Sequence, residues 1–169
     1  DTDGPNAPDG IVGPHREKEG SWYTIRDVWS PIQIAPMTVR PQWDGRFKVA
    51  NRFLFSRLTE CSMSYSVTTL PSPASDRGRT VAEGTVALPD IAPGETGTAA
   101  ITLPEGFAEG DVLTLVATTA AGDTINTWAY PMRYADEYYA LAKPAAVAGR
   151  AATADGTTLE GGGVRAEFN

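Results

Sequence analysis

The sequence predicts an all-β fold, an antiparallel β-sandwich of about seven strands preceded by one short helix. Three observations carry that expectation. From residue 32 the apolar residues alternate with period two. Turn signals recur at short intervals, drawn from 17 Gly and 13 Pro, which disfavours long helices. Only one stretch, Trp22, Ile25 and Trp29, has helical spacing.

Residues 1–20 hold Gly4, Pro5, Pro8, Gly10, Gly13, Pro14 and Gly20 and read as loop. Ser21 is the expected helix N-cap. Trp22, Ile25 and Trp29 share a helical face, with Arg26 and Asp27 directed elsewhere. Pro31 stops the helix by pushing Ser30 out of the α region. A helix this short needs a partner surface for its tryptophans. Ile32, Ile34, Met37 and Val39 suggest a strand broken at Pro36. Asp44-Gly45 is a hairpin signal between 38–41 and 46–53. In the second arm Phe47, Val49, Asn51 and Phe53 face one way and Arg46, Lys48 and Arg52 the other. Cys61, Met63, Tyr65 and Val67 line another strand face. Residues 71–78 are loop, 80–88 strand, 89–95 turn, and 98–103 and 112–118 strands. Gly122-Asp123 opens a last strand over 124–134, where the period slips between Ile125 and Trp128 and predicts a bulge. Regular short strands of this kind are the profile of an immunoglobulin-like sandwich. The Cys…Trp…Cys spacing of antibody domains is absent, because Cys61 is the single cysteine.

Composition narrows the function. A net charge of −7 argues against nucleic acid and anionic membrane partners, which call for a basic footprint. One cysteine permits neither an internal disulfide nor a cysteine-based metal site. No stretch reaches the roughly 18–20 apolar residues of a membrane span. Asp1 is neither an initiator Met nor the start of a basic-then-apolar leader, so residue 1 is expected to lie inside a longer gene product. Residues 144–163, rich in Pro, Ala, Gly and Thr, read as linker. Val164–Phe168 alternates once more and reads as the first strand of a following domain.

Several segments together resemble family-two glycoside hydrolases of the β-galactosidase type, at the point where the catalytic barrel passes into the next sandwich. They are Gly10-Ile11-Val12, His15-Arg16, Tyr23-Thr24-Ile25-Arg26-Asp27-Val28-Trp29 and Ser30-Pro31-Ile32. Further on, Asn51-Arg52-Phe53 and Leu88-Pro89-Asp90-Ile91-Ala92-Pro93-Gly94-Glu95 are similar to a strand segment and a turn of the same enzymes. The resemblance implies three parts: 1–31, the end of a catalytic barrel; 32–143, the immunoglobulin-like sandwich; and 144–169, a linker and the first strand of a C-terminal sandwich domain. It implies a non-catalytic bracing role in a retaining enzyme acting on β-galactosides or related β-glycosides. The partners are then the barrel and the C-terminal domain, with glycan met only through the parent enzyme. It also suggests a periplasmic or extracellular location.

Candidate chemistry is sparse. Retaining glycosidases need two carboxylates about 5–5.5 Å apart, which the resemblance places on the barrel, so no catalytic residue is assigned in this chain. Asp136-Glu137 is the tempting pair, but neighbours in an extended segment point to opposite faces. His15 is the only histidine and no nucleophile motif accompanies it. Asp1, Asp3 and Asn6 hint at a calcium loop, yet Asn6 and Val12 stand where Gly and Glu are needed. Cys61 reads as an inert thiol, and Gly161–Gly163 lacks the Lys-Ser/Thr of a phosphate loop. No metal and no cofactor are expected. Asp9 occupies, by resemblance, the place of an Asn near the sugar site and is the candidate substrate-binding residue. The alternative reading is a stand-alone extracellular carbohydrate-binding or adhesive module, with Trp43 as its stacking residue.

Overall fold

The computed structural model describes residues 11–72, 76–142, 153–155, 157–161 and 164–168. The helix α1 spans Gly20–Val28. Seven strands come after it: β1 Ile32–Ile34, β2 Arg46–Asn51, β3 Ser62–Thr68, β4 Thr80–Val86, β5 Thr96–Ala100, β6 Val112–Thr118 and β7 Thr124–Pro131. They form two antiparallel sheets, ordered β1-β2-β5 and β4-β3-β6-β7. A second helix, α2, covers Ala135–Ala142. The strands β8 Thr153–Asp155, β9 Thr158–Gly161 and β10 Val164–Glu167 make a third small sheet, ordered β10-β9-β8.

Period-two patterning builds the sandwich. Phe47, Val49 and Asn51 of β2 turn inward, as do Met63 and Val67 of β3 and Leu113, Leu115 and Ala117 of β6. Side chains from both sheets, with Ile32, Val86 and Ala99, form one shared core. Cys61 is half-buried at its edge. Burial, and then the charge of Glu60, pushes its thiol pKa up, which keeps it a poor nucleophile.

Five local expectations differ from the fold. The helix begins at Gly20, one residue before Ser21, and Glu19 is its N-cap without a side-chain bond. Asp44-Gly45 is not a hairpin tip. The segment 38–41 is not a strand, and β2 pairs instead with β1 and β5. Pro36 and Pro41 cannot donate to a ladder, so residues 35–45 run irregularly while Val39 is buried in the core. Gly45 has φ +81° and its carbonyl accepts the Ile101 amide, so the turn launches β2 from the end of β5. The bulge in the last strand lies at Ile125, since Ala117 faces Asn126 while Thr118 faces Thr124. That strand ends at Pro131, and α2 replaces the extended segment expected around Asp136-Glu137. Glu137 accepts the Tyr134 amide at 2.6 Å, reaching back over the helix start. Finally, the stretch expected to be linker contains β8 and β9, and β10 coincides with the strand expected at 164–168.

Glu137 also ties α2 to the irregular 35–45 segment. It forms a two-pronged pair with Arg40, at 2.8 and 2.9 Å, and Arg40 lies over the Tyr134 ring at 4.1 Å. The Arg40 guanidinium, helped by the Tyr134 amide, holds the Glu137 carboxyl down to about 2. An unfolded-chain value near 4.5 lies above this. The pair therefore contributes fully above pH about 4.5 and fades as pH falls toward about 2. Thermal unfolding scanned between those limits should show an acid-side decline that is shallower in Glu137→Gln. Identical slopes would remove Glu137 from the account.

Candidate docking face

Two sequence segments converge on Asn51. It is fully buried. Its side-chain amide donates to the carbonyls of Ser56 and Ile91, each at 2.9 Å, and its Oδ1 accepts the Phe53 amide. Its backbone N–H donates to the Glu95 carbonyl, and its own carbonyl accepts the Gly94 amide. Gly94 takes φ +80° to make this approach. The Asn-Arg-aromatic segment and the Leu-Pro…Pro-Gly-Glu turn, about forty residues apart in sequence, are thus one hydrogen-bonded unit. The neighbouring Arg52 amide donates to the Pro31 carbonyl, joining that unit to the end of α1.

The helix itself is pinned at its C-terminal end. Gln33 of β1 donates through Nε2 to the carbonyls of Asp27, Val28 and Ser30, at 3.0, 3.4 and 2.9 Å. The Asp27 carbonyl also accepts the Ser30 amide at 3.4 Å, and the Gln33 amide adds the partners that a helix end lacks. The buried Ser30 hydroxyl donates to the Ile32 carbonyl at 2.7 Å. Across the sandwich edge the Asn126 amide donates to Asp27 Oδ1 at 2.9 Å. Burial, with the charge of Asp27 adding to it, pushes the nearby Tyr130 hydroxyl up to about 12. Tyr130 stays protonated at any working pH and cannot serve as a base. Asp27→Ala leaves the buried Asn126 amide unpaired and is expected to cost about 1–3 kcal/mol in urea unfolding. Asp27→Asn, which keeps an acceptor oxygen, should recover most of that. Equal losses in the two variants would refute the tether.

The tryptophans separate. Trp22 and Ile25 are half-buried, and two cations approach the Trp22 ring, Lys18 at 4.2 Å and Arg26 at 5.1 Å from its centre. Arg26 also approaches the Tyr23 ring, and its buried Nε has no hydrogen-bond partner. Trp29, in contrast, is 76% exposed and caps the helix end. It stands at the mouth of a groove of about 590 Å³ along the outer face of the β1-β2-β5 sheet, with Ile34, Lys48, Ala50, Arg52 and Thr96 in its lining. A second groove of about 410 Å³ shares Ala35, Pro36 and Lys48 with the first and continues to Met37 and Arg46. Arg46 and Lys48 project from this face, as the alternation of β2 requires, and Arg52, just past the strand, lines the same groove.

The other candidates fall elsewhere. Asp9 lies outside the described residues, as do Asp1, Asp3 and Asn6. Trp43 is half-buried; its indole N–H donates to the Arg46 carbonyl at 3.2 Å, and its ring packs 6.2 Å from Phe47 and from Phe107. His15 is exposed beside Glu17, and its backbone N–H donates to that carboxylate. Asp136 is exposed in the first turn of α2, while Glu137 is held by Arg40. Among the described residues no three His, Cys, Asp or Glu side chains cluster as metal ligands. The Gln33 cap left no signal in the sequence. Asn126 did leave one: a polar residue on the strand face shared by Trp128 and Tyr130.

Residues 47–129 match the family described as beta-galactosidase, domain 4. No curated protein matches the chain. Among solved structures, the exo-chitosanase CsxA of Amycolatopsis orientalis shares 15% identity, covering 72% of this chain and 13% of that one, with a TM-score of 0.37. A variant of that enzyme in complex with PNP-beta-D-glucosamine has 15% identity, the same coverage and a TM-score of 0.38. The chain therefore spans 13% of the length of those structures. The matched segment begins within β2 and ends within β7 and contains the whole Asn51 unit. Over residues 47–129 the sandwich of this chain is similar to beta-galactosidase domain 4.

Proposed function

We propose that this chain is a non-catalytic spacing and bracing module of a multidomain retaining glycoside hydrolase acting on β-galactosides or related β-glycosides. The family match over 47–129 carries the reading. The pinned α1 supports it, because a helix fixed at its C-terminal end to the sandwich and exposing Tyr23, Val28 and Trp29 is suited to holding a neighbouring domain at a set angle. Chemistry belongs to that neighbour, and this module keeps it in register with the domain on the far side of β10.

The test is the coding sequence on both sides of residues 1 and 169, paired with an assay. An upstream barrel bearing two glutamates, and hydrolysis of a nitrophenyl β-glycoside by the whole polypeptide but not by this chain, is the expected result. A leader directly before Asp1 with a stop after Asn169 would overturn the reading.

A further inference from the structure

The outer face of the β1-β2-β5 sheet has a charge pattern unlike the chain as a whole. The sequence holds 21 acidic residues and a net charge of −7, yet no carboxylate lines either groove on this face. Arg46, Lys48 and Arg52 project there in a row. At about 3.4 Å per residue Arg46 and Lys48 lie roughly 7 Å apart along β2, and Arg52 follows just past the strand's end. None of the three forms an ion pair among the described residues. Asp44 accepts the Arg46 backbone amide at 3.0 Å but lines neither groove, and exposed cations in grooves without a carboxylate are complementary to an acidic partner.

The rest of the lining shows what kind of acidic partner. Trp29, Ile34, Pro36 and Met37 supply apolar contact along the row, and Trp, Met and Arg are residues enriched at protein interfaces. Two neutral groups are engaged within the chain, the Gln33 amide with the carbonyls at the end of α1 and the Ser30 hydroxyl with the Ile32 carbonyl, while the exposed Thr96 and Thr98 also line the grooves. The run of apolar side chains beside the cations favours a polypeptide over an anionic glycan.

We infer that these grooves dock a polypeptide surface on which carboxylates alternate with apolar side chains, the carboxylates meeting Arg46, Lys48 and Arg52 and an apolar side chain packing on Trp29. The inference rests on the domain reading above and gives the docking face its chemistry, with the adjoining domain as occupant.

Lys48 makes it testable, because a water-soluble carbodiimide joins a lysine amine to a carboxylate only where the two are in contact. The full polypeptide carrying this chain is treated with it and its linked peptides are identified by mass spectrometry. The expected product joins Lys48 to an Asp or Glu outside residues 1–169. Its yield should fall at least tenfold in Arg52→Glu and in Arg46→Glu, variants of exposed side chains that leave the core intact. Raising the salt to about 1 M, where the screening length is about 3 Å, should lower it as well. A multidomain polypeptide in which Lys48 is unlinked, and acetylated as fast as in the isolated 169-residue chain, overturns the docking inference and leaves the domain reading standing. A link to a second copy of this chain in place of a flanking domain makes the grooves an interface between copies and overturns the inference. A link formed only with added polygalacturonate assigns the grooves to an anionic glycan and overturns the proposal.

Discussion

Leu115→Ala should lower the unfolding free energy by about 2–5 kcal/mol, the range for truncating a fully buried leucine whose surroundings only partly collapse. Leu115 lies in the middle of β6, opposite Tyr65 of β3 and Trp128 of β7, and is fully shielded from solvent. Its side chain belongs to the core shared by the two sheets, so the loss is to the whole sandwich and not to one strand pair. Urea unfolding followed by tryptophan fluorescence should show a lower midpoint with an unchanged slope. Val116→Ala, one position away and half-buried, should move the midpoint much less. If the two variants shifted it equally, the inward assignment of β6 would be wrong.

Asn51→Ala is the second large effect, expected at about 2–4 kcal/mol, because several buried groups lose a partner together. The Ser56 carbonyl and the Phe53 amide are left without the bonds that Asn51 gives them, and the Ile91 carbonyl keeps only the Leu58 amide. Asn51→Asp separates hydrogen bonding from size. It is nearly isosteric, yet it turns a carboxyl oxygen toward two carbonyls that need a donor. At neutral pH it should be at least as damaging as alanine, and it should recover on acidification as the new carboxyl gains a proton. An Asn51→Asp variant as stable as the parent at neutral pH would show that the Asn51 amide does not bridge β2 to the 89–95 turn.

How much of this was legible beforehand depends on the range of the force involved. The strands with clean alternation, β3, β4 and β6, were recoverable, because a period of two and a core on one side leave a single solution. The inward faces of Phe47, Val49, Asn51 and of Met63 and Val67 followed from the same rule. The Asp44-Gly45 signal misled because local turn chemistry fixes a bend but not which strand pairs beyond it. Tertiary contact decided that, through the Gly45–Ile101 bond. The helix α2 was missed because its start is set by Glu137, whose partner Arg40 is 97 residues away in sequence. The docking face was half legible. The cationic side of β2 could be read from alternation, but its open grooves could not, since they depend on where residues 35–37 and Trp29 come to rest.

The cap that Gln33 places on α1 has a mechanical meaning. A helix joined to a sheet through Trp29, Ser30 and Pro31 alone would be a swivel. Here the Gln33 amide grips the helix end, the Asp27–Asn126 bond resists rotation about the helix axis, and Arg52 holds Pro31. The junction is therefore a stiff elbow, and α1 should tumble with the sandwich as one rotor. A probe fixed to an exposed position such as Thr24 would then report the orientation of the whole sandwich in solution.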